Sequence, residues 1–324
     1  MDRALPVFGK SFSQGRGTSM RLLTRSDFDG LICAVLLKHV GIMDEWKFVH
    51  PKDVQDGLVF VNTDDILANV PYLPGVGMWF DHHSSEKDRL KFDYKYEGAS
   101  EPKPSCARVI WDYFGGGEKF PELFQEMMEY VDRCDSGQLS REEILNPRGW
   151  VLLSFIMDPR TGLGRYKDYR ISNYNLMMKM VEWCSSLPID EILAQPDVRE
   201  RVDRYFQQNN LFRKQLLQRT KVHKNLAVID LREEAEIYTG NRFLVYSLFP
   251  DCNVSMHVMW GRERQNVVFT VGHSVINRTS KTDVGRLMLE YDGGGHERVG
   301  TCQVATPRAE RIKAELIDKI TANG

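Results

Sequence analysis

The stretch MWFDHHSSE, residues 78–86, ends an apolar run abruptly with one acid and two imidazoles. From Met20 onward, other short apolar runs alternate with segments whose apolar residues have helical spacing. Such alternation is typical of a parallel sheet with crossover helices. In sheets of this kind, functional residues gather beyond the carboxyl ends of the strands. We therefore expect Asp81, His82 and His83 to lie at the functional edge of a parallel sheet.

The chain of 324 residues is long enough for two domains with separate cores. After the DHH stretch, several segments have helical spacing, and residues 196–221 keep that spacing among many charges. Strand-like runs follow, among them NVSMHVMW and NVVFTVGHS. We predict an α/β protein made of a parallel-sheet N-terminal metal-binding domain over 1–195, a helical connector over 196–221, and a smaller α/β C-terminal domain with a mixed sheet over 222–324.

The formal net charge of −2 gives the chain no global positive field. We expect no long nucleic-acid duplex as a partner, because such duplexes are held by many basic side chains. The six cysteines form no CxxC pair, which favours reduced thiols and a cytoplasmic location. The sequence has no apolar signal core and no uninterrupted apolar stretch of about 18 residues, so we expect neither export nor a membrane partner.

The segment RSDFDG, residues 25–30, carries two acids separated by one phenylalanine. If the segment is extended, residues i and i+2 point the same way, and Asp27 and Asp29 present two carboxylates to one spot. A divalent cation would neutralise their repulsion, and Gly30 would allow a sharp turn into the next helix. The alternative is an Asp-rich turn that caps this helix.

Two further apolar runs, VFVNTDD and MWFDHH, also end in acid or imidazole, which loads three neighbouring strand ends with such side chains. Carboxylates and imidazole without thiolate suit manganese, and iron, cobalt or magnesium can substitute for it. Each motif alone also has a simpler interpretation. DHH is compatible with a surface turn or a capped helix, and Asp135 in DRCDSG is compatible with a helix C-cap and turn.

The stretch GGGHERVG, residues 293–300, leaves backbone N–H groups open to close approach by phosphate oxygens. His296 follows the glycines directly, and Arg278, Lys281 and Arg298 are near in sequence. These residues favour anion binding. The alternative is a flexible glycine hairpin with solvated basic side chains.

These motifs in this order resemble the DHH phosphoesterase superfamily, in the branch with a C-terminal DHH-associated domain that ends in GGGH. This branch includes the RecJ exonucleases, the nanoRNases that degrade short oligonucleotides, cyclic dinucleotide phosphodiesterases and relatives labelled exopolyphosphatase-related. The resemblance covers about residues 20–305, and it includes NRTSKTDVGRLMLEYDGGGHERVG, residues 277–300.

The resemblance implies two divalent metal ions in the N-terminal domain, with manganese as the expected metal. It implies that the metal ligands include Asp27, Asp29, His82 and Asp135. His83 would face the scissile phosphate, and Asp81 would orient or assist the ligands. In the C-terminal domain, the residues that would hold substrate phosphate and base are Arg278, Ser280, Gly293, Gly294, Gly295 and His296.

Two positions depart from the pattern of the relatives. Many relatives carry a histidine four residues before the first acid, where this chain has Leu23, with Arg25 closer to the acid. In the second motif, the usual Asp-Thr pair is replaced by an Asn-Thr pair at Asn62, and two acids follow. We choose Asp64 as the bridging metal ligand, with Asp65 and Asn62 as alternatives.

We predict a manganese-dependent phosphodiesterase that hydrolyses short oligonucleotides or linear and cyclic dinucleotides through a water activated by two metal ions. The alternative in the same class is a phosphoanhydride hydrolase of the exopolyphosphatase or pyrophosphatase type. The alternative from another class is a catalytically silent nucleotide-binding protein, because Leu23 and Asn62 depart from the family pattern. The sequence leaves a homodimer open.

Overall fold

The structure is a computed structural model that describes residues 19–83 and 96–324, so residues 84–86 of the opening stretch lie outside the described residues. The strands are β1 Met20–Arg25, β2 Met43–Val49, β3 Asp65–Ala68, β4 Met78–Asp81, β5 Glu97–Ser100, β6 Thr220–His223, β7 Leu226–Asp230, β8 Val254–Trp260, β9 Asn266–His273, β10 Gly294–His296 and β11 Val299–Ala305. The helices are α1 Phe28–His39, α2 Pro51–Gln55, α3 Cys106–Tyr113, α4 Leu123–Asp135, α5 Arg141–Leu145, α6 Gly149–Met157, α7 Asn173–Ser186, α8 Ile189–Ala194, α9 Pro196–Arg219, α10 Leu244–Leu248, α11 Val284–Leu289 and α12 Ala309–Ala322.

The N-terminal sheet has the strand order β2-β1-β3-β4-β5, and every neighbouring pair is parallel. The predicted parallel sheet is confirmed. β3 and β4 are buried along their whole length, which explains why they lack the alternation of a half-exposed strand. The carboxyl ends of β1, β3 and β4 lie at one edge, and the segments that follow them carry Asp27, Asn69 and His82.

The second sheet has the strand order β10-β11-β9-β8-β7-β6. β7 and β8 are parallel, whereas the other neighbouring pairs are antiparallel. The predicted mixed sheet is therefore confirmed. α11 and α12 pack against it, and their apolar side chains form one core with β8, β9 and β11.

The predicted connector is helical, since α9 occupies residues 196–219. Its buried side chains, such as Val198 and Tyr205, belong to a larger core that begins in the N-terminal sheet. This core continues to Ala227 and Tyr246, so it crosses the boundary between the predicted domains. The division of the chain into domains stays a prediction.

Within the described residues, no helix combines the length and the apolar character that crossing a bilayer requires. All six cysteines are free thiols, and five of them are buried.

Candidate metal centre

The turn between β1 and α1 positions the first acidic motif. Asp27 has extended backbone and caps α1, since its Oδ1 accepts a hydrogen bond from the N–H of Gly30 at 3.0 Å. Gly30 is required by close packing, because a Cβ there would lie 2.0 Å from the carbonyl oxygen of Arg25. The helix begins at Phe28, so Asp29 lies in its first turn. The extended geometry expected for the two acids is wrong, although both acids line one pocket.

The carboxylate of Asp29 is fixed between two helices. Its Oδ2 accepts a hydrogen bond from the N–H of Cys106 at 2.9 Å, and its Oδ1 accepts one from Ala107 at 2.8 Å. These donors are the first N–H groups of α3, which have no partner inside their own helix. Burial raises the pKa of Asp29 well above its usual range, and the charges of Asp135 and Asp27 add to that rise. Asp29 therefore occupies a position that favours a nearby cation.

His82 faces the two acids through one ring nitrogen. Its Nδ1 lies 3.2 Å from the carbonyl oxygen of Lys103, which assigns the ring proton to Nδ1. The other ring nitrogen, Nε2, lies 3.4 Å from Oδ2 of Asp135 and 3.7 Å from Oδ2 of Asp29. This buried Nε2 makes no hydrogen bond to any described residue. A buried polar nitrogen without a hydrogen-bond partner costs free energy, and a cation bound between it and the two carboxylates would remove that cost.

Asp135 completes the group from the last residue of α4. Desolvation raises the pKa of Asp135, and the charge of Asp27 adds to that rise. One ligand atom each from Asp29, His82 and Asp135 lies within 4.8 Å of the other two. We call these three residues the metal trio. Two carboxylates and one imidazole are a donor set that divalent Mn, Fe or Mg accepts, so the residues present fit such an ion.

Asp81 and His83 form a hydrogen-bonded pair beside the metal trio. Oδ1 of Asp81 lies 2.9 Å from Nδ1 of His83, and its Oδ2 accepts a hydrogen bond from the backbone N–H of His83 at 3.2 Å. Burial lowers the pKa of His83, but the hydrogen bond and charge of Asp81 outweigh it and raise the pKa to about 8. The raised pKa favours the protonated imidazole at neutral pH, and the ring of His83 lies 4.2 Å from that of His82 between centroids.

Asp27 lines the same pocket, but both of its oxygens have partners. Nε of Arg25 lies 2.8 Å from Oδ2 of Asp27. Oδ1, which caps α1, also accepts a hydrogen bond from Nδ2 of Asn69 at 3.1 Å. Asn69 follows β3 directly and is buried. Asp27 is therefore a capping and ion-paired residue here, outside the metal trio.

Asp64, which the sequence analysis selects as a metal ligand, is not brought to the metal trio. The strand is DILA, so Asp64 precedes β3 at the amino edge of the sheet and is exposed. The alternative Asp65 is paired with Arg21, whose Nε lies 2.8 Å from its Oδ1. The third choice, Asn62, is exposed in the same turn. The run VFVN precedes β3 instead of forming it. The acids of the second motif therefore lie at the amino edge of the sheet, whereas the metal trio lies at the carboxyl edge.

Two arginines that the sequence analysis missed line the pocket together with Asp29 and Asp135. Nε of Arg160 lies 2.8 Å from Oδ1 of Asp158, and Nε of Arg242 lies 3.6 Å from Oδ2 of the same residue. Burial and the charge of Arg160 lower the pKa of Arg242 to about 10, which leaves it charged at neutral pH. No motif marks these residues, since the first follows α6 and the second precedes α10.

The C-terminal candidates lie in and beside the second sheet. Arg278 contacts the segment that follows α4, because its Nη2 donates a hydrogen bond to the carbonyl oxygen of Gly137 at 2.6 Å, close to Asp135. Ser280 accepts a hydrogen bond from the N–H of Thr282 at 3.3 Å. The remaining candidates lie at β10, where His296 is exposed.

Close packing against β11 accounts for two of the three consecutive glycines. A Cβ at Gly293 would lie 2.3 Å from the carbonyl oxygen of Thr301, and one at Gly295 would lie 2.3 Å from that of Val299. Gly294 has open space around its position. Substrate binding by these residues stays a prediction.

Among the solved structures that are similar to this chain, two carry information on its fold and function. The pGpG-specific phosphodiesterase PggH from Vibrio cholerae is 49% identical, with a TM-score of 0.86, and the match covers 94% of this chain and 100% of that one. RecJ in complex with Mn²⁺ from Thermus thermophilus is 13% identical, with a TM-score of 0.53, and the match covers 94% of this chain and 52% of that one. The second likeness concerns the fold alone. No protein-family model and no curated protein matches the chain.

Proposed function

The chain belongs to the DHH phosphoesterase superfamily and is a dinucleotide phosphodiesterase, and we propose that its substrate is a linear dinucleotide of the pGpG type, cleaved with the help of a divalent metal ion. The high identity over the full length to a pGpG-specific phosphodiesterase supports this substrate class. In the proposed reaction, water attacks the bridging phosphorus and the P–O3′ bond breaks, so that pGpG gives two molecules of the 5′-mononucleotide. A cytoplasmic location and the exclusion of long duplexes are part of the proposal.

The metal trio is the single observation that carries the metal part of the proposal. The buried Nε2 of His82 lies within 3.7 Å of carboxylate oxygens from both acids and has no hydrogen-bond partner among the described residues. We propose Mn²⁺ as the ion, because mixed carboxylate and imidazole donors suit it. When bound, such an ion lowers the pKa of water and polarises phosphoryl oxygens.

His83 is the residue we assign to the scissile phosphate. Asp81 fixes the imidazole through Nδ1 at 2.9 Å, so the ring can offer its other nitrogen as a donor. A charged donor of this kind stabilises the negative charge that develops on phosphate oxygens during hydrolysis. Asp81 is buried and supports this role by holding His83 in place.

Arg160 and Arg242 are the residues we assign to the remaining phosphate charge of the substrate. They line the pocket beside Asp29 and Asp135, and the one carboxylate of Asp158 neutralises only one of the two guanidinium charges. Guanidinium groups bind phosphate through paired N–H donors. A dinucleotide with a terminal phosphate would therefore bind to these two guanidinium groups more tightly than one without it.

The C-terminal residues Arg278, Ser280, Gly293–Gly295 and His296 are proposed to bind the substrate's far end. The contact between Arg278 and the carbonyl oxygen of Gly137 supports this role, because it brings the loop after β9 close to Asp135. Binding energy at the far end would position the phosphodiester over the metal trio.

The proposal is tested with the purified chain, freed of metal by chelation and then supplied with Mn²⁺. A substrate panel contains pGpG, the dinucleotide without the 5′-phosphate, a cyclic dinucleotide, a longer oligonucleotide and polyphosphate. We expect hydrolysis of pGpG only with metal, at the highest kcat/KM of the panel. Tight binding of pGpG with no turnover in Mn²⁺ would contradict the proposal and favour a silent nucleotide-binding protein.

A further inference from the structure

We infer that this site holds a single divalent ion, in the metal trio, and that the guanidinium of Arg25 supplies a fixed positive charge in place of a second ion. The inference rests on the proposed metal dependence of the site. It departs from the two ions that the family resemblance implies.

The first step concerns Asp27, the acid left over for a second ion. Its Oδ2 is paired with Nε of Arg25 at 2.8 Å, and its Oδ1 accepts hydrogen bonds from Gly30 and Asn69 at 3.0 and 3.1 Å. A divalent ion would have to displace a charged partner and break the cap of α1. Burial of Asp27 at 6% exposure makes loss of these partners costly.

The second step concerns the residues that should accompany Asp27 around a second ion. Leu23 is buried in an apolar cluster and offers no ligand atom at the position where relatives carry histidine. Asn69 is a neutral amide that follows β3 directly and contributes no negative charge beside Asp27. Its Nδ2 donates to Asp27, so this half of the amide repels a cation. Its Oδ1 is buried without a hydrogen-bond partner in residues 19–83 and 96–324.

The third step is the charge balance at this edge of the sheet. Once ionised, Asp29 and Asp135 offer two negative charges, which one divalent ion neutralises, because an imidazole binds a metal as a neutral ligand. Asp27 carries one negative charge, which Arg25 neutralises. A second divalent ion would therefore find no uncompensated carboxylate among these acids, and Arg25 would repel it.

The fourth step is what Arg25 contributes to the reaction. It is the last residue of β1, and 32% of its side chain is exposed, so a phosphate group can reach the guanidinium from solvent. Its charge is permanent, since the guanidinium is protonated at all physiological pH values. Arg25, paired with Asp27, thus places a covalently attached cation beside the exchangeable one, in addition to the charged groups already assigned to the phosphate.

The test is the number of Mn²⁺ ions bound per chain, measured by equilibrium dialysis and elemental analysis. We expect one ion per chain and an electron paramagnetic resonance spectrum of isolated Mn²⁺. The double variant Arg25→Gln with Asn69→Asp removes the fixed cation and adds an acid beside Asp27, and we expect it to bind two ions that are spin-coupled. Arg21→Gln is the matched control, because Arg21 lies on the same strand and pairs with Asp65 at the other edge. The control should bind one ion.

The outcomes separate this inference from the proposed function. Two ions in the unaltered chain would overturn the inference while leaving a metal-dependent phosphodiesterase intact. One ion in a folded double variant would also overturn it, since Arg25 and Asn69 would then not set the stoichiometry. No ion in the unaltered chain would overturn the proposed function together with the inference. Circular dichroism of each variant establishes that it is folded, and the unaltered chain tests the inference without any substitution.

Discussion

Asp29 and Asp230 are both acids at the edge of a sheet, but their surroundings differ in what neutralises them. Around Asp29 the neighbours include the acids Asp27 and Asp135, and its pKa is raised well above the usual range by burial and by those charges. Around Asp230 the neighbours are Arg232 and Lys313, each 2.6 Å from its Oδ2. Burial alone would raise the pKa of Asp230, but these hydrogen bonds and charges lower it well below the usual range.

The difference separates acids that serve function from acids that serve stability. A carboxylate whose pKa is raised on folding costs stability at neutral pH, whereas one whose pKa is lowered contributes to it. The acids at the carboxyl edge of the parallel sheet repel one another, and a bound cation would remove this repulsion. Clusters of groups with shifted pKa values are typical of functional sites. The second sheet supplies its own cations. Substitutions in the two clusters should therefore affect different quantities.

The largest expected effect is that of His82→Ala. The change removes the imidazole of the metal trio, so we expect loss of bound Mn²⁺ and a fall in kcat/KM of about 10³-fold or more, as several kcal/mol of transition-state stabilisation disappear. Bound metal is measured by elemental analysis and turnover with pGpG. His223→Ala, in β6 of the second sheet, is the matched control and should change neither quantity. Near-normal metal content in the His82 variant would contradict the assignment of the trio.

A smaller effect is expected for His83→Ala. This variant loses the charged donor held by Asp81 but keeps the metal trio, so kcat should fall by about 10²–10³-fold while the bound Mn²⁺ stays unchanged. Single-turnover kinetics with pGpG and elemental analysis measure the two quantities. Equal loss of metal and activity would show that His83 acts as a ligand and not as a donor to phosphate.

The sequence predicted the parallel sheet and its functional edge because MWFDHH combines a buried strand with polar side chains in one continuous segment. The second motif was misplaced for a physical reason. The run VFVN is apolar but irregular, whereas the strand that it precedes begins with the acid Asp65. Asn69 went unnoticed because a single neutral amide after an apolar strand resembles an ordinary strand end.

The two arginines of the pocket could not be predicted from the sequence. Arg160 and Arg242 are separated by helices α7, α8 and α9, and they meet at Asp158 only through tertiary packing. The same holds for Asp29, whose partners Cys106 and Ala107 begin a helix far along the chain. Pairings of this kind depend on how helices pack, which local periodicity does not encode.

The C-terminal residues provide a way to separate binding from chemistry. His296→Ala removes an exposed imidazole at β10, remote in sequence from the metal trio. We expect KM for pGpG to rise by about tenfold with kcat little changed, because the lost contact would stabilise the bound substrate and the transition state equally. Steady-state kinetics measure both constants. The outcome that would contradict the assigned role is a selective fall in bound Mn²⁺ with KM unaltered.

The smallest effect on activity, and one on stability alone, is expected for Asp230→Asn. At pH 7 the variant should lose about 1–2 kcal/mol of unfolding free energy, because Arg232 and Lys313 each lose a charged acceptor at a partly exposed site.

The pH dependence of this stability difference follows from the lowered pKa of Asp230 in the folded chain. The contribution of Asp230 to the free energy of unfolding is fully present above the unfolded pKa of about 4 and is lost as the pH falls through the acid range. Denaturant unfolding at several pH values should therefore show a difference between variant and unaltered chain that shrinks below about pH 4. Hydrolysis of pGpG and bound Mn²⁺ should stay unchanged, and a fall in either would mean that the two clusters of acids are coupled and that the contrast between them does not hold.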